Sequence, residues 1–369
     1  MSEHLTTVTG LTRELVAIDS RSFVSNVPIG ERVEAALACF EVERIDYVDP
    51  AGVAKRALVA ARGRGGLALS AHMDTVPDTG WQDDPYDARL DPDGTLHGLG
   101  ATDMKGPLAA IITAANALAA SVPICLLITT DEETTKQGAL AIVERSLLAR
   151  RYAPRGIVVA EPTAMAPVRG HRAQIAFTAT AIGEQAHSST GKGRNANWDL
   201  LPFLVDMRAM AERLRTDRTL QDPAYDPPFS DFNLVIDNHG TAVNVTVPKA
   251  TARIKFRYSA GIDPTPVLET VADAARRAGI ALHEMREGTP PELPADHPLV
   301  RLCAETTATA PRTAPYGTDA SQLQALAPCI VLGPGSIDVA HTPTERVQVA
   351  ELAAAVPVFM ALAERIGSI

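Results

Sequence analysis

The sequence contains few cysteines and no closely spaced pair of them. Its four thiols belong to Cys39, Cys125, Cys303 and Cys329, which lie far apart and have mostly apolar neighbours. Their number and spacing exclude a disulfide-rich scaffold and a Cys-x-x-Cys metal site. We therefore expect four buried, reduced thiols, and any bound metal must depend on histidine and carboxylate ligands.

The sequence also lacks a long apolar run and a cluster of basic residues. No segment reaches the roughly 20 apolar residues of a membrane-spanning helix, and the first residues do not resemble a signal peptide. Acidic residues outnumber basic ones by 44 to 34, giving a formal net charge of -10, and both signs are mixed along the chain. These features predict a cytoplasmic protein that binds neither membranes nor nucleic acids.

The apolar pattern is typical of an α/β protein. The 369 residues are 46% hydrophobic, which is enough for two domains, and no internal repeat or low-complexity tract stands out. Short strand-like runs alternate with longer helix-like ones, as in an open sheet with flanking helices. In the first part of the chain we predict strands at 67–71, 124–129 and 157–160 and helices at 106–120 and 138–148.

The pattern changes after Pro167 and becomes that of a compact α+β insert. For this insert we predict strands at 175–182, 242–247 and 252–259 and helices at 198–215 and 264–278. A proline-rich stretch that begins at Gly288 then returns the chain to the first domain, with a strand at 329–332 and a helix at 347–366. The expected division is a first domain at 1–168 and 288–369, interrupted by a second domain at 169–287.

Five short segments place a histidine or a carboxylate at the end of an apolar strand or shortly after one. In open α/β sheets, the loops at the carboxyl ends of the strands converge on one crevice. The five segments therefore predict a cluster of polar side chains. Its members are His72 with Asp74, then Asp103, then the acidic run of Asp131, Glu132 and Glu133, then Glu161, and finally His341.

Each segment alone has a simpler explanation. His72 and Asp74 could form an ordinary hydrogen-bonded pair, Asp103 could cap the helix that follows it, and an acidic run is usually a solvated surface. Together, two imidazoles and three or four carboxylates are a ligand set suited to Zn(II), with Co(II) and Mn(II) as alternatives. Adjacent side chains of an extended segment point in different directions, so one acid of the run can bind metal while its neighbour acts as general base.

The order and spacing of these segments resemble the M20 metallopeptidase family. The matching motifs are His-x-Asp at 72–74, Gly-x-Gly-x-x-Asp-Met-Lys-Gly at 98–106, Asp-Glu-Glu at 131–133, Glu-Pro-Thr at 161–163, and Gly-Pro-Gly-Ser at 333–336 followed by Ala-His at 340–341. The resemblance covers the chain from about His72 to His341. It implies a zinc-peptidase-like α/β/α catalytic domain with an inserted α+β lid and dimerisation domain, and therefore a homodimer.

The resemblance also implies a role for each polar residue of the cluster. It implies two zinc ions that share one carboxylate, a general base that activates water, and an acid that orients a histidine. The corresponding residues are Asp103 as the bridge, His72 and Glu161 on one ion, Glu133 and His341 on the other, Glu132 as the base, and Asp74 as the partner of His72. Every position that this mechanism requires holds a suitable residue, which argues against an inactive homologue.

Three residues of the insert resemble substrate-binding positions of the family lid. His187, in Gly-Glu-Gln-Ala-His-Ser-Ser, is similar to a histidine that reaches across the dimer to stabilise the developing oxyanion. Asn244 and Arg257 are similar to residues that hold the substrate carboxylate, and arginine suits this role because it can form two parallel hydrogen bonds. An ordinary surface position is the alternative for His187 and for Arg257.

Within the family, Gly98-Leu-Gly and the segment from Leu332 to His341 are most similar to the acetylornithine deacetylase subgroup. Asp319 takes the place of the glutamate in that subgroup's Thr-Glu-Ala motif, and a shorter carboxylate at a substrate-facing position could select another side chain. The resemblance implies a two-metal amidohydrolase that acts on a small N-acyl amino acid or a dipeptide-like substrate. A dipeptidase or carboxypeptidase and a non-catalytic binding homologue are the alternatives.

Overall fold

The chain forms two compact units in the computed structural model, which describes residues 3–368. The first unit extends to Gly170 and also includes Pro291–Arg312 and the chain from Thr318 onward. The second unit comprises His171–Pro290 and Thr313–Gly317. The sequence placed the boundaries after residues 168 and 287, and it gave no sign that the chain returns to the second unit at Thr313–Gly317.

Helices and strands alternate along most of the described chain. The helices are α1 (Glu3–Val16), α2 (Val27–Ala35), α3 (Lys105–Ala117), α4 (Gln137–Arg145), α5 (Leu147–Tyr152), α6 (Ala196–Thr216), α7 (Thr265–Ala278), α8 (Pro298–Thr307), α9 (Ala320–Leu323) and α10 (Val349–Arg365). The strands are β1 (Glu41–Val48), β2 (Ala54–Arg62), β3 (Leu67–His72), β4 (Thr95–His97), β5 (Ile124–Thr129), β6 (Gly156–Val159), β7 (Val168–His171), β8 (Ala173–Ile182), β9 (Asp231–Asp237), β10 (Lys249–Tyr258), β11 (Ala281–Arg286), β12 (Arg312–Ala314), β13 (Cys329–Val331) and β14 (Arg346–Gln348). None of the described helices combines the length and the apolar character that crossing a bilayer requires.

The first unit is built on a mixed eight-stranded sheet with the order β1-β2-β5-β3-β6-β13-β7-β12. β3 lies between β5 and β6 and is parallel to both, and every residue of these three strands is buried. Strands that are buried on both faces have continuous apolar sequences, which explains why all three were recognisable. α1, α3 and α10 pack against one another and form part of the large apolar core. The predicted α/β fold class is confirmed.

The register of the parallel strands aligns their carboxyl ends. His72, the last residue of β3, is paired with Thr129, the last residue of β5. Ser70 of β3 is paired with Val159, the last residue of β6. The loops that follow the three strands therefore leave from the same edge of the sheet, where α/β proteins place their functional residues.

The second unit is an antiparallel four-stranded sheet with the order β11-β8-β10-β9. Buried and partly exposed residues alternate along β8, so only one face of this sheet is covered. α6 packs on β8 and β10, and α7 packs on α6. The core between them contains Phe177, Phe203 and Phe256. This arrangement is the α+β insert expected from the sequence.

Three details predicted from the sequence are wrong. Residues 242–247 form a loop rather than a strand. Val243 is fully exposed there, so its apolar side chain does not belong to the buried face of a sheet. The single helix expected at 138–148 is divided at Ser146, because the Ser146 hydroxyl accepts a hydrogen bond from the Ala149 N–H and caps α5. Cys39 is exposed, whereas the other three cysteines are buried as expected.

Candidate metal centre

Three polar residues of the expected cluster follow the ends of the parallel strands. His72 ends β3, Glu133 belongs to the acidic run after β5, and Glu161 lies in the loop after β6. No more than 7% of any of these three side chains is exposed. The aligned strand ends therefore bring residues that are distant in sequence to one buried place.

Asp103 lies between the two histidines. Its Oδ1 is 3.1 Å from Nε2 of His72, and its Oδ2 is 3.2 Å from Nε2 of His341. The N-cap position of α3 is Met104, and no side chain caps this helix, so Asp103 is not the helix cap. Its two carboxylate oxygens face different imidazoles, as expected of a carboxylate that bridges two cations.

Two further contacts complete the cluster. Nε2 of His341 is 3.0 Å from Oε1 of Glu133, and Nε2 of His72 is 4.0 Å from Oε1 of Glu161. Ligand atoms of His72, Asp103 and Glu133 all lie within 4.8 Å of one another. The structure thus brings together all five residues that the sequence suggested as metal ligands.

The carboxylate of Asp74 supports the acidic run. It accepts hydrogen bonds from the backbone N–H groups of Glu132, at 3.2 Å, and Glu133, at 3.3 Å, and from the Ser22 hydroxyl, at 2.8 Å. The ring Nδ1 of His72 lies 2.9 Å from the backbone oxygen of Asp74 and 3.6 Å from its Oδ1. Asp74 is therefore placed to hold both the histidine and the two acids.

Glu132 lies beside these five residues and is 8% exposed. One of its carboxylate oxygens is within 4.8 Å of ligand atoms of His72 and Glu161. Its Oε1 is also 2.9 Å from Nζ of Lys136, which lies four residues further along the chain, directly before α4. A carboxylate in this position can reach a water molecule held by the cluster.

Two residues that the sequence did not reveal fix the start of the acidic run. Asp131 has a positive φ of 59°, and its carboxylate is held from two sides. Nζ of Lys55 on β2 is 2.9 Å from its Oδ1, and the hydroxyl of Tyr47 on β1 donates to its Oδ2 at 2.7 Å. Both strands lie at the antiparallel edge of the sheet, outside every motif, so only the strand order could have identified these residues.

The two histidines are strongly influenced by the carboxylates around them. Burial lowers the pKa of His72, but its hydrogen bond with Asp103 and the nearby carboxylates outweigh burial and raise the pKa. Hydrogen bonds with Asp103 and Glu133 raise the pKa of His341 to about 11. Burial raises the pKa of Asp103, yet its hydrogen bonds with both histidines lower the pKa overall. The cluster therefore favours positive charge at its centre.

The remaining carboxylates indicate the same need for positive charge. Burial, together with the negative charge of Asp103, raises the pKa of Glu133 to about 7 and raises that of Glu161 as well. Such shifts are expected where several acids share one buried place. A pair of divalent cations would neutralise the negative charges of these carboxylates. Imidazole nitrogens and carboxylate oxygens are suitable ligands for such ions. The residues present fit a metal centre.

Removal of metal should reverse how the stability of this protein depends on pH. Glu133 and Asp319 have pKa values raised to about 7 from ordinary values of 4.5 and 3.8. The metal-free folded state keeps protons that the unfolded state releases, so its free energy of unfolding should fall as pH rises from about 5 to 7. Bound metal should reverse this slope, because ligation requires deprotonated carboxylates and neutral imidazoles.

The measurement is a series of melting temperatures between about pH 5 and pH 8, with a chelator and with added Zn(II). We expect the melting temperature to decrease with pH in the chelator and to increase with pH in zinc. Equal slopes in the two series would contradict the interpretation of this cluster as a metal centre.

The three expected lid residues do not lie together. His187 and Asn244 are exposed and neighbouring, since the Ser188 N–H donates to the Asn244 backbone oxygen at 3.0 Å. They lie beyond the end of the sheet where Ile182 of β8 pairs with Lys249 of β10. Arg257 lies near the other end of β10, roughly 25 Å along the strand from Lys249.

Arg257 also has a partner within its own unit. Its guanidinium is 2.5 Å from Oδ2 of Asp231, which is the residue opposite it on β9. The Nδ1 atom of His187 is 2.8 Å from the hydroxyl of Ser189. One ring nitrogen of His187 is therefore occupied by a local contact. The substrate-binding roles of His187, Asn244 and Arg257 stay predictions.

Asp319 is not at an open substrate-facing surface. It is 1% exposed, and the Thr129 hydroxyl donates a hydrogen bond to its Oδ2. Burial, followed by the negative charge of Glu132, raises the pKa of Asp319 to about 7. The carboxyl therefore lies inside the first unit, near Glu132 and His72, and the expectation that its shorter side chain selects the substrate stays a prediction.

The same motifs relate the chain to known proteins. Residues 68–365 match the sequence profile of Peptidase family M20/M25/M40. The chain belongs to this family. An acetylornithine deacetylase of Myxococcus xanthus is 35% identical to it in an alignment that covers 95% of each chain. The M20 family membership predicted from the motifs is confirmed, and the chain is a hydrolase of this family.

Solved structures of two peptidases share its fold. The di-peptidase Dug1p of Saccharomyces cerevisiae aligns with a TM-score of 0.76 at 14% identity and covers 100% of both chains. The YXEP protein of Bacillus subtilis, described as a dinuclear metal-binding peptidase of family M20, aligns with a TM-score of 0.64 at 16% identity and covers 99% of both chains. At these identities the likeness extends to the fold alone.

Proposed function

We propose that this M20 hydrolase is a dinuclear metal-dependent amidohydrolase that removes the acyl group from a small N-acyl amino acid. The observation that supports this proposal most is the position of Asp103. Its two carboxylate oxygens lie 3.1 Å from Nε2 of His72 and 3.2 Å from Nε2 of His341. The similarity to an acetylornithine deacetylase over 95% of each chain supports a deacylase. A two-metal site and its substrate class remain proposals.

Two zinc ions are the proposed cofactors, with Co(II) and Mn(II) as alternatives. Asp103 would bridge them, and His72 and Glu161 would complete one ligand set. Glu133 and His341 would complete the other. Imidazole and carboxylate ligands without thiolates suit all three metals, so the donor chemistry alone does not distinguish them.

The chemistry assigned to the chain's own residues centres on Glu132. Bound metal ions would supply the Lewis acidity that lowers the pKa of water and polarises the amide carbonyl. Glu132 would accept a proton from the attacking water and deliver it to the departing amine. Its backbone N–H is fixed by Asp74 and its carboxylate lies 2.9 Å from Lys136, which limits where the base can point.

The lid residues would bind and stabilise the substrate. We propose that His187 stabilises the developing oxyanion and that Asn244 and Arg257 hold the substrate carboxylate. Because Arg257 lies roughly 25 Å along the strand from the end of the sheet near His187, one small substrate cannot contact both residues of one lid. We infer that each active site is completed by the lid of a second subunit in a homodimer.

Two exposed apolar features of the second unit support this homodimer. Trp198, Leu201 and Val205 are 69%, 49% and 61% exposed and lie on one side of α6 at helical spacing. Val235 and Ile236 are each about half exposed on β9, which is an edge strand of its sheet. An exposed apolar helix face and an unpaired sheet edge are typical of surfaces that associate.

Replacing Trp198 and Val205 together by glutamate should convert the dimer into a monomer. The two added carboxylates would be buried against apolar surface on association, which is unfavourable without a partner. Analytical ultracentrifugation of the wild type, the double variant and a Val48→Glu control measures the effect. Val48 is 66% exposed on β1 of the first unit, so the control should remain dimeric. A dimeric double variant would refute this interface.

Substrate choice is tested with zinc- and cobalt-reconstituted protein. A panel of N-acetyl amino acids should be hydrolysed faster than a panel of dipeptides. Faster cleavage of dipeptides or of C-terminal residues would favour the alternative of a dipeptidase or carboxypeptidase. A metal-loaded protein that is inert towards both panels, yet binds one of these compounds, would favour the second alternative, a non-catalytic binding homologue.

A further inference from the structure

The carboxylate of Glu345 connects the two loops that carry Asp103 and His341. It is 1% exposed and accepts three backbone hydrogen bonds from the loop before α3. Its Oε2 accepts from the Gly100 N–H at 3.0 Å, and its Oε1 accepts from Thr102 at 2.9 Å and Asp103 at 2.8 Å. The two carboxylate oxygens therefore join the loop before α3 to the segment that follows His341.

Other contacts align the same two loops. The Gly98 N–H donates to the Glu345 backbone oxygen at 3.2 Å, and the Thr102 hydroxyl donates to the Arg346 backbone oxygen at 3.1 Å. Directly after Glu345, β14 pairs with β4, which comes just before this loop. Residues 345–348, which follow His341, are therefore attached to residues 95–103, which lead up to and include Asp103.

The loop conformation suits this carboxylate. Gly100 has a φ of 81°, and a Cβ atom added there would lie 2.7 Å from Cγ2 of Thr75. Glycine at this position allows the chain to turn so that the N–H groups of residues 100, 102 and 103 all point to Glu345. An anion held by successive N–H groups in a turn is a recognised backbone arrangement.

We propose that Glu345 is a positioning residue that sets the location of Asp103 relative to His341 and so allows the site to hold two metal ions. This inference rests on the proposed dinuclear function. The Asp103 N–H is bound by a side chain from the His341 loop, so its main chain cannot move independently of that loop. Groups that hold metal ligands in place typically change metal affinity about 10- to 100-fold when they are altered.

The proposal is tested by titrating Co(II) into the chelated, full-length wild type and into Glu345→Gln. The amide keeps the size of the side chain but places an NH₂ group against backbone donors, so at least one N–H loses its acceptor. We expect the first Co(II) ion to bind with wild-type affinity and the second about 10- to 100-fold more weakly. The visible absorption of Co(II) and the magnetic coupling of the pair should change accordingly.

Glu351→Gln is the matched control. Glu351 lies in the first turn of α10, is exposed, and has no role in the cluster, so this variant should bind both ions as the wild type does. Glu345→Asp is a second variant that keeps the charge but shortens the reach, and it should show a smaller loss. Circular dichroism of the metal-free variants reports whether they fold.

The outcomes separate this inference from the proposed function. If wild type and Glu345→Gln bind two Co(II) ions equally well, the positioning role is wrong and the dinuclear function stands. If the wild type itself binds fewer than two ions, the proposed function fails and this inference with it. If both Glu345 variants fail to fold without metal, Glu345 serves folding rather than ligand placement, and the inference is overturned.

Discussion

Glu132→Ala should abolish measurable turnover while leaving the metal content nearly unchanged. A general acid–base group contributes about 10²- to 10⁴-fold to a rate, so kcat should fall by at least that range. Glu132 is 8% exposed and is held through its backbone N–H by Asp74, so truncating its side chain removes the base without displacing this backbone contact. Metal analysis together with kcat and KM measures both effects.

The neighbouring acid provides the contrasting variant. Glu133→Ala should lose metal, because Oε1 of Glu133 lies 3.0 Å from Nε2 of His341 in the cluster. The geometry makes this comparison necessary, since a carboxylate oxygen of Glu132 also lies within 4.8 Å of ligand atoms of His72 and Glu161. If Glu132→Ala loses metal and Glu133→Ala keeps it, the base and ligand roles are exchanged.

His187→Ala should lower kcat by about 10²- to 10³-fold, the usual loss when one donor to an oxyanion is removed. Metal binding should be unaffected, because His187 belongs to the second unit and every proposed ligand belongs to the first. A merely structural histidine at this exposed position would change kcat little. The measurement is kcat on the best N-acyl substrate, with Ser189→Ala as a local control for the contact to Nδ1.

Mixing two inactive variants tests whether His187 acts on the active site of the other subunit. A dimer of one Glu132→Ala subunit and one His187→Ala subunit contains one site in which both residues are intact, provided that His187 acts on the other subunit. Random subunit exchange should then restore about a quarter of the wild-type activity. No recovery after verified exchange would show that His187 acts within its own subunit or not at all.

The elements predicted best are those with continuous apolar sequences. The three central parallel strands were recognised because burial on both faces requires apolar residues throughout. The strands at the edges of the second unit were missed, since β9 and β11 contain no buried residue and carry mixed side chains. Residues 242–247 show the opposite error, because an apolar pattern in an exposed loop has the same appearance as a strand.

The polar side chains of the candidate site could be identified from short sequence segments. His72, Glu161 and the acidic run each end or follow a recognisable strand, and Asp103 precedes a recognisable helix. The residue types limited the possible metal ligands to nitrogen and oxygen atoms. The supporting residues had no such signal. Lys55, which reaches Asp131 from β2, depends on the order of strands in the sheet.

By itself, the sequence determined the family, the alternating α/β pattern and the kinds of side chain available to a metal. The tertiary structure decided where those side chains meet. Asp103 turns one oxygen to each histidine, Asp319 is buried, and Arg257 and His187 lie at different ends of the four-stranded sheet of the second unit. Local sequence encodes residue type and periodicity, whereas these relations depend on strand register and on contacts between residues hundreds of positions apart.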